Sequence, residues 1–477
     1  MSERTAAATP REQRLESLAT TQFDVLIVGG GINGAGIARD LAVRASESGH
    51  PLRIGLIDKG HFSGGTSGKN SQLIHGGLRY LKYMEFSLVR EALRERATLL
   101  KIAPHLVEPL PFLIPMYSQF AKYFYGTGLW LYDTLAGERN ISPHRYVPLD
   151  ETKSLEPGLN REGLVSAAIF YDARVHSARF TLANLADAEN RGAVLANYVE
   201  AVAFEPGWNV RARDVLTGKE FPIRAKTLIN TSGPWAGGLW PAENKLRLVR
   251  GSHLVLPRLN HSDNAIAYFD ADGRIIFFIP WGSRQDLTLV GTTDVDHDGT
   301  PDSVRISAAE TEYLLKIVTD LYPEAKGIEP IASYSSLRPL VKDDSGSATA
   351  TSREHRIWRD PQGVVHVAGG KYTTYRVMSE EAADLACESV APALRAIHRT
   401  AELPLPYSAD DLERGAQIRQ AVEHEWVERL RDLLYVSTYW GYERKWDEAS
   451  RVEIAAELGA HLGWDERRVA EEAASIA

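Results

Sequence analysis

Lys371, Thr373, Thr374 and Arg376 stand together in GGKYTTYR (369–376), directly after a β-like run at 364–368. A strand that ends in Gly-Gly and opens a helix carrying cations and hydroxyls is a site for negative charge. The first N–H groups of a helix lack partners, and its dipole is positive there. A second glycine-rich turn, GGGINGAG at 29–36, lies near the other end of the chain. Gly29, Gly31 and Gly34 have the spacing that lets backbone approach a pyrophosphate and helix pack closely on strand. One turn can hold a dinucleotide. The other can hold the charge that gathers on a reduced flavin ring and on an anionic substrate.

These turns need elements to aim them. FDVLIV (23–28) is a continuous apolar strand of the kind buried on both faces in a parallel sheet. Ile37, Ala38 and Leu41 then fall at helical spacing, and LRIGLID (52–58) ends in Asp58, an acid placed to accept from ribose hydroxyls. Strand, glycine turn, helix, strand and terminal acid in that order predict a Rossmann-like unit. LINTSGPWA (228–236) is a further strand running into a small-residue turn at Ser232 and Gly233. Glycine turns at both ends of the chain point to FAD rather than NAD. The helix end at Lys371 stabilises charge on the ring by about 0.3–2 kcal/mol. For a two-electron couple, about 1.4 kcal/mol corresponds to roughly 30 mV, so the turn tunes the ring modestly as well as holding it.

With 477 residues there is room for roughly three domains. A net charge of −9 is a poor match for nucleic acid. The single cysteine, Cys387, excludes an internal disulfide framework and fits a reducing, cytoplasmic compartment. No apolar run reaches the length of a spanning helix; IIFFIPW (275–281) is far too short. Residues 1–20 are polar and mixed in charge and read as a flexible leader, with a short helix as the alternative. No metal site is expected.

Taken in order, FDVLIVGGGINGAGIARD, TSGKNSQLIHGGLRYL (66–81), SGPWA, RGSHLVLP (250–257), IPW with GTTD (279–294), YSSLRPL (334–340) and GGKYTTYR give the chain its resemblance. It resembles the FAD-dependent glycerol-3-phosphate dehydrogenases and glycerophosphate oxidases from about residue 21 to about 395. The resemblance implies an α/β fold: an FAD-binding, glutathione-reductase-type domain (about 21–82, 163–238 and 361–395) interleaved with an antiparallel β-sheet substrate domain (about 83–162 and 239–360). A C-terminal helical domain (401–477) follows. It implies oxidation of sn-glycerol 3-phosphate to dihydroxyacetone phosphate, with electrons passed to quinone or another acceptor. A peripheral position on the inner face of the cell membrane and a homodimer are both compatible with it. Another hydroxy acid or amine as substrate, or a catalytically silent flavin protein, stay open on the residues alone.

Such chemistry needs a hydride acceptor, a base and a cationic clamp for the phosphate, for which arginine is best suited. The resemblance offers Arg338, Arg353, Lys371 and Arg79. Arg338 and Arg353 are the expected phosphate ligands, Lys371 bridges substrate and flavin, and Arg79 with Tyr80 lines the pocket. His253 is the expected base. His75 is expected to pack on the flavin, and Asp294 either orients a pocket base or caps a strand. Against the cofactor we place Gly29, Gly31, Asn33, Gly34, Asp58, Thr66, Ser67, Ser71, His75, Gly76, Ala201, Ser232, Gly233, Gly370, Lys371, Thr373 and Thr374.

Short β-like runs at 253–257, 275–281 and 287–294 suit a sheet roofing a pocket. A helix is predicted over 306–323, capped by Ser307 with Glu310 and stopped by Pro323. FAKYFYGTGLWLYDTLA (120–136) is an aromatic helix, equally an interfacial helix or a lid. Beyond LPLPYS (403–408), Ser408 with Asp411 caps a helix whose stripe is Leu412, Ile418, Val422, Trp426, Leu430 and Leu433. The chain departs from its relatives at three places. Gln72 stands where they usually carry Lys, DARVHSARFTLANL (172–185) is longer spaced, and YVSTYWGYERKW replaces an arginine-rich continuation.

Overall fold

The strand Gln22–Val28 is buried along all but its first residue, which requires a layer on each side. The computed structural model describes residues 8–240, 246–270, 273–342, 354–406 and 413–476. It places this strand inside an eight-stranded sheet. Glu220–Asn230 and Ile54–Ile57 flank it in parallel, followed by Val365–Gly369 and Val194–Ala196. The first and last glycine turns of the sequence therefore leave the same end of one sheet, two strands apart.

The helices Ile32–Ser48, Ser177–Asn190 and Tyr375–Val390 share one apolar core with Val25, Ile27 and Leu56. Gly36 allows the close crossing: a Cβ there would lie 2.3 Å from Ser379 Oγ and 2.7 Å from the Tyr375 ring. Two buried arginines tie the helices together. Arg39 pairs with Asp187 at 2.7 Å, and Arg44 with Asp40 at 2.6 Å and Asp384 at 2.5 Å. Burial holds the Asp40 carboxyl up at about 6 even with Arg44 alongside.

Leu26 and Val28 face the opposite side, against Leu18 and Val210. Leu18 belongs to the helix Arg11–Thr20, so the expected flexible leader is, from residue 11, a docked helix. Its two arginines find partners in the protein. Arg11 pairs with Asp214 at 2.5 Å, and the buried Arg14 reaches Glu428 at 3.2 Å.

A second sheet has ten strands. It is antiparallel except where Ala265–Phe269 runs parallel to Val107–Met116. Ser166–Val175 belongs to this sheet, paired along its length with Val107–Met116. The chain thus returns to the first sheet through the helix Ser177–Asn190, downstream of residue 163. Leu246–Pro257 carries the centre of the far half, paired with Ala332–Val341, Leu287–Gly291 and Val295–Asp296. Ala308–Leu321 packs Leu314, Ile317, Val318 and Leu321 under this sheet, and its capping box between Ser307 and Glu310 forms as the sequence predicts.

The C-terminal region is helical, with Arg414–His424, Glu448–Leu462 and Glu466–Ala474 around a core of their own. The predicted stripe is not one helix. The first helix stops at His424, and Trp426 takes a left-handed φ of 54° and packs edge-on to Phe62 at 5.4 Å. Burying an indole against the nucleotide sheet outweighs helix continuity here. Ser408, Asp411 and Leu412 lie outside the described residues.

Candidate functional site

The two sheets enclose a cavity of about 1440 Å³. Gly31 and Lys371, from the two glycine turns, both line it. The first turn is built for backbone approach. A Cβ on Gly34 would sit 1.9 Å from the Gly29 carbonyl oxygen. Gly31 is the N-cap of the helix Ile32–Ser48 and has no side chain to cap it; the Ile32 N–H goes to Ser67 Oγ, and the N–H groups of Asn33 and Gly34 are left for an anion. Asp58 lines the cavity at the end of its strand, but both its oxygens already accept from backbone: Gly30 N–H at 2.6 Å and Gly60 N–H at 2.8 Å. Burial raises its pKa against those hydrogen bonds. The second turn requires glycine too. Gly369 and Gly370 have φ of 71° and 81°, and a Cβ on Gly370 would meet the Met378 sulfur at 2.4 Å. The helix that follows begins as a 3-10 turn, Tyr372–Thr374.

The loop 66–71 joins the two halves of the site. The strand Ala332–Val341 braces it. Thr66 Oγ1 donates to the Leu337 carbonyl at 2.6 Å, Ser336 Oγ to Lys69 O at 2.6 Å, and Tyr334 OH to Asn70 O at 2.7 Å. Ser67 Oγ accepts from Ile32 N–H at 2.9 Å, which fixes the loop to the helix end. Ser71 Oγ lies 2.9 Å from His253 Nε2.

His253 sits on Leu246–Pro257 beside Tyr334, whose ring stacks on it at 4.9 Å. Burial, with Arg338 next to it, pushes its pKa down to about 3, so the imidazole is neutral. Its Nδ1 is buried and has no partner among the described residues. Arg338 lies on the adjacent strand, opposite Val249, and folds across Gly251, where a Cβ would come 2.4 Å from its Nη1. It pairs with Asp294 at 2.9 Å and donates to Thr292 Oγ1 at 2.9 Å and Thr293 O at 3.1 Å. Asp294 therefore orients a cation. Lys371 Nζ stands 3.9 Å from the centre of the Tyr80 ring.

Most of the predicted residues meet here. Gly29, Asn33, Thr66, Ser67, Ser71, His75, Ala201, Ser232, Gly233 and Gly370 line the cavity with those already placed. Four do not. Gly34 is the close-approach position under the turn, and Gly76 makes room for Tyr132 and Leu93. Thr373 accepts from His75 N–H at 3.2 Å and donates back to His75 O at 3.3 Å, and Thr374 donates to Lys371 O at 3.4 Å. Their hydroxyls hold the turn in shape, and any contact with a ligand falls to backbone. The hydroxyls of Thr66 and Ser232 are likewise spent inside the protein, the second on Asn230 Oδ1 at 2.6 Å. Arg376 is buried against Glu95 at 2.8 Å. Arg79 lies on the 3-10 helix Leu78–Tyr83, next to Tyr80. Arg353 lies outside the described residues.

Two groups of lining residues had no local signal. Asp172 anchors the loop at Gly76: it accepts from Gly76 N–H at 3.2 Å, from Tyr132 OH at 2.8 Å and from Arg96 at 2.6 Å. The other group, Arg431, Tyr435 and Tyr442 among it, comes from the C-terminal helices, which form a wall of the cavity. The three departures noted in the sequence converge on that wall. Tyr439 OH donates to Gly68 O at 2.7 Å and lies 3.4 Å from Gln72 Oε1, and its ring stacks on His176 at 4.2 Å.

The glycine turns and the cavity they line fit FAD. The profile of the family described as FAD dependent oxidoreductase matches residues 24–385. Mitochondrial glycerol-3-phosphate dehydrogenase of Macaca fascicularis is 36% identical over 411 residues, 80% of this chain and 55% of that protein. The chain thus spans about half the length of the animal relatives it matches. Aerobic glycerol-3-phosphate dehydrogenase of Staphylococcus saprophyticus is 35% identical over 393 residues, 79% of this chain and 69% of that protein. The crystal structure of glycerol-3-phosphate dehydrogenase from Bacillus halodurans complexed with FAD superposes with a TM-score of 0.76 at 24% identity. It covers 98% of this chain and 97% of its own. That last likeness establishes the fold.

Proposed function

Since the chain belongs to the FAD-dependent oxidoreductases, in the family of the glycerol-3-phosphate dehydrogenases, we propose that it oxidises sn-glycerol 3-phosphate to dihydroxyacetone phosphate. The observation that carries this reading is the pairing of Leu246–Pro257 with Ala332–Val341. It sets a neutral histidine and a braced arginine on neighbouring strands of one cavity wall, with Lys371 lining the same cavity.

Bound FAD supplies the two-electron acceptor. Arg338 holds the substrate phosphate in a fork that Asp294 has already oriented. Lys371, over the Tyr80 ring, lines the same cavity. His253 takes the hydroxyl proton on Nε2, by way of Ser71 Oγ 2.9 Å away, since its Nδ1 is buried. That role requires the tautomer that carries its proton on Nδ1. Burial is the larger cause of the depressed imidazole and Arg338 the smaller; a phosphate dianion near Arg338 offsets that smaller part, raising the basicity of His253 when substrate is present. Several cations around one site favour a phosphate ester over a neutral amine.

The test is anaerobic bleaching of the yellow holoprotein. Glycerol 3-phosphate should bleach it, and glycerol and sarcosine should not. Full flavin absorbance in the presence of glycerol 3-phosphate would defeat the reading.

Electrons then pass to a quinone at a membrane surface. The support is the helix Gln119–Ala136. It buries Leu129 and Tyr132 and leaves Phe120, Tyr123, Phe124 and Trp130 at least half exposed. No helix among the described residues is long and apolar enough to cross a membrane. Phe120→Ser with Phe124→Ser should abolish co-sedimentation with phospholipid vesicles, and reoxidation by a soluble quinone should outpace reoxidation by oxygen. The reverse order of rates would remove the quinone.

A further inference from the structure

Three cations converge on the part of the cavity nearest the C-terminal wall. Lys69 comes from the loop after Ser67, Arg305 from the stretch after the 3-10 turn Pro301–Ser303, and Arg431 from the short helix Leu430–Asp432. None has an acidic partner among the described residues. Arg305 donates to its neighbour's carbonyl, Val304 O, at 2.7 Å. The acids nearby are taken. Asp432 accepts from Tyr198 OH at 2.5 Å and from Arg429 N–H at 3.0 Å, Asp302 is held by Lys59 at 2.9 Å and by Trp235 Nε1 at 2.9 Å, and Glu472 is held by Arg429 and Arg468. Burial, with Arg431 and Arg305 alongside, pulls the pKa of Lys69 down to about 8. Like charges gathered without a counter-ion cost free energy, which a bound anion would offset.

The neighbours say where that anion sits. Ser67 accepts from Ile32 N–H at the mouth of the first glycine-turn helix, and Lys69 is two residues further along the same loop. The loop is not free to turn away. Ser336 holds the Lys69 carbonyl, and Asn70 Nδ2 donates to Ser67 O at 2.7 Å. The helix end and these cations line one cavity, joined by the loop 67–69.

We propose that Lys69, Arg305 and Arg431 form a phosphate-binding subsite that grips the diphosphate of FAD, which makes the C-terminal helices part of the cofactor site. This rests on the cofactor and not on the proposed substrate. A free phosphate anion has the chemistry to fill the same subsite, so the experiment separates the two.

Arg431→Ala, Arg431→Lys and Lys69→Met are made in the full chain. Apoprotein is titrated with FAD and with riboflavin, which lacks phosphate, at low and high salt, following flavin fluorescence. Inorganic phosphate is tested separately by its effect on the thermal midpoint of each apoprotein. Arg431 is exposed and makes no hydrogen bond to the described residues, and its removal relieves repulsion on Lys69, so the unliganded variant should unfold no lower than the wild-type temperature. Arg431→Ala should weaken FAD tenfold or more, with riboflavin unaffected, most of the loss recovered in Arg431→Lys, and a smaller deficit at high salt. Lys69→Met should behave in the same way. If FAD binding holds in both variants while stabilisation by inorganic phosphate disappears, the subsite takes a free anion and its assignment to the cofactor is wrong. If neither ligand distinguishes the variants from wild type, there is no subsite. Failure of glycerol 3-phosphate to bleach the flavin would leave all of these binding results standing.

Discussion

Arg338 and Asp294 are paired at 2.9 Å, with the guanidinium lying across Gly251. In the proposed clamp the arginine would meet its ligand already oriented, so little side-chain entropy would be lost on binding. Arg338→Ala should raise KM for glycerol 3-phosphate tenfold or more. A charge-assisted hydrogen bond of about 1.5–3 kcal/mol is lost. Asp294→Asn keeps the cation but loosens it, and should raise KM by less. Steady-state kinetics of the two variants decide this; an unchanged KM in Arg338→Ala takes the residue out of the clamp.

His253 makes stability pH-dependent in a known direction. Its folded pKa of about 3 lies below the value of about 6.5 expected in the unfolded chain. Above pH ~6.5 both states are neutral and the site imposes no penalty. Below it the unfolded chain takes a proton that the folded chain refuses. Stability is then lost by about 1.4 kcal/mol per pH unit down toward pH ~3. His176, also held neutral by burial, adds to the slope. Urea unfolding at a series of pH values should show His253→Asn losing stability less steeply than wild type. Equal slopes would mean that the folded protein protonates this histidine.

Gly34 is under the most severe steric demand in the first turn, since a methyl at its Cα would fall 1.9 Å from a backbone oxygen. Backbone cannot yield as a flexible side chain can. Gly34→Ala should therefore purify colourless, with near-native far-UV circular dichroism. Stoichiometric flavin in that variant would show that the turn relaxes at little cost.

Tyr439 is the hinge between the C-terminal wall and the loop at Gly68. Tyr439→Phe removes the hydroxyl while keeping the ring stacked on His176, and should cost about 1 kcal/mol. The urea midpoint should fall and flavin release should quicken. A variant with both unchanged would make the bond a passive contact.

What is readable in the sequence is local. Gly29, Gly31 and Asp58 follow from the order of strand, turn and helix, and Ser307 with Glu310 from a capping pattern four residues long. Arg338 and His253 are placed by resemblance, and their adjacency depends on a strand register that no local pattern encodes. Hydroxyl roles are unreadable for the same reason. Thr66 looks like a cofactor ligand until the strand carrying Leu337, 271 residues away, claims its proton. The C-terminal stripe misleads because helical spacing continues through Trp426, whereas the chain breaks there to bury the indole on Phe62. The cavity wall it forms is invisible, since every contact that builds it is distant in sequence.

That distance has a consequence in the cell. The bonds from Tyr439 to Gly68 and from His61 to Glu425 span 371 and 364 residues. At about 5–20 residues per second, a ribosome needs roughly 20–75 s to travel from one partner to the other. Throughout that interval the nascent nucleotide turn is one side short of an enclosure. If the proposed subsite holds, flavin loading at full affinity waits for the helices that carry Arg431 and Tyr439 to emerge.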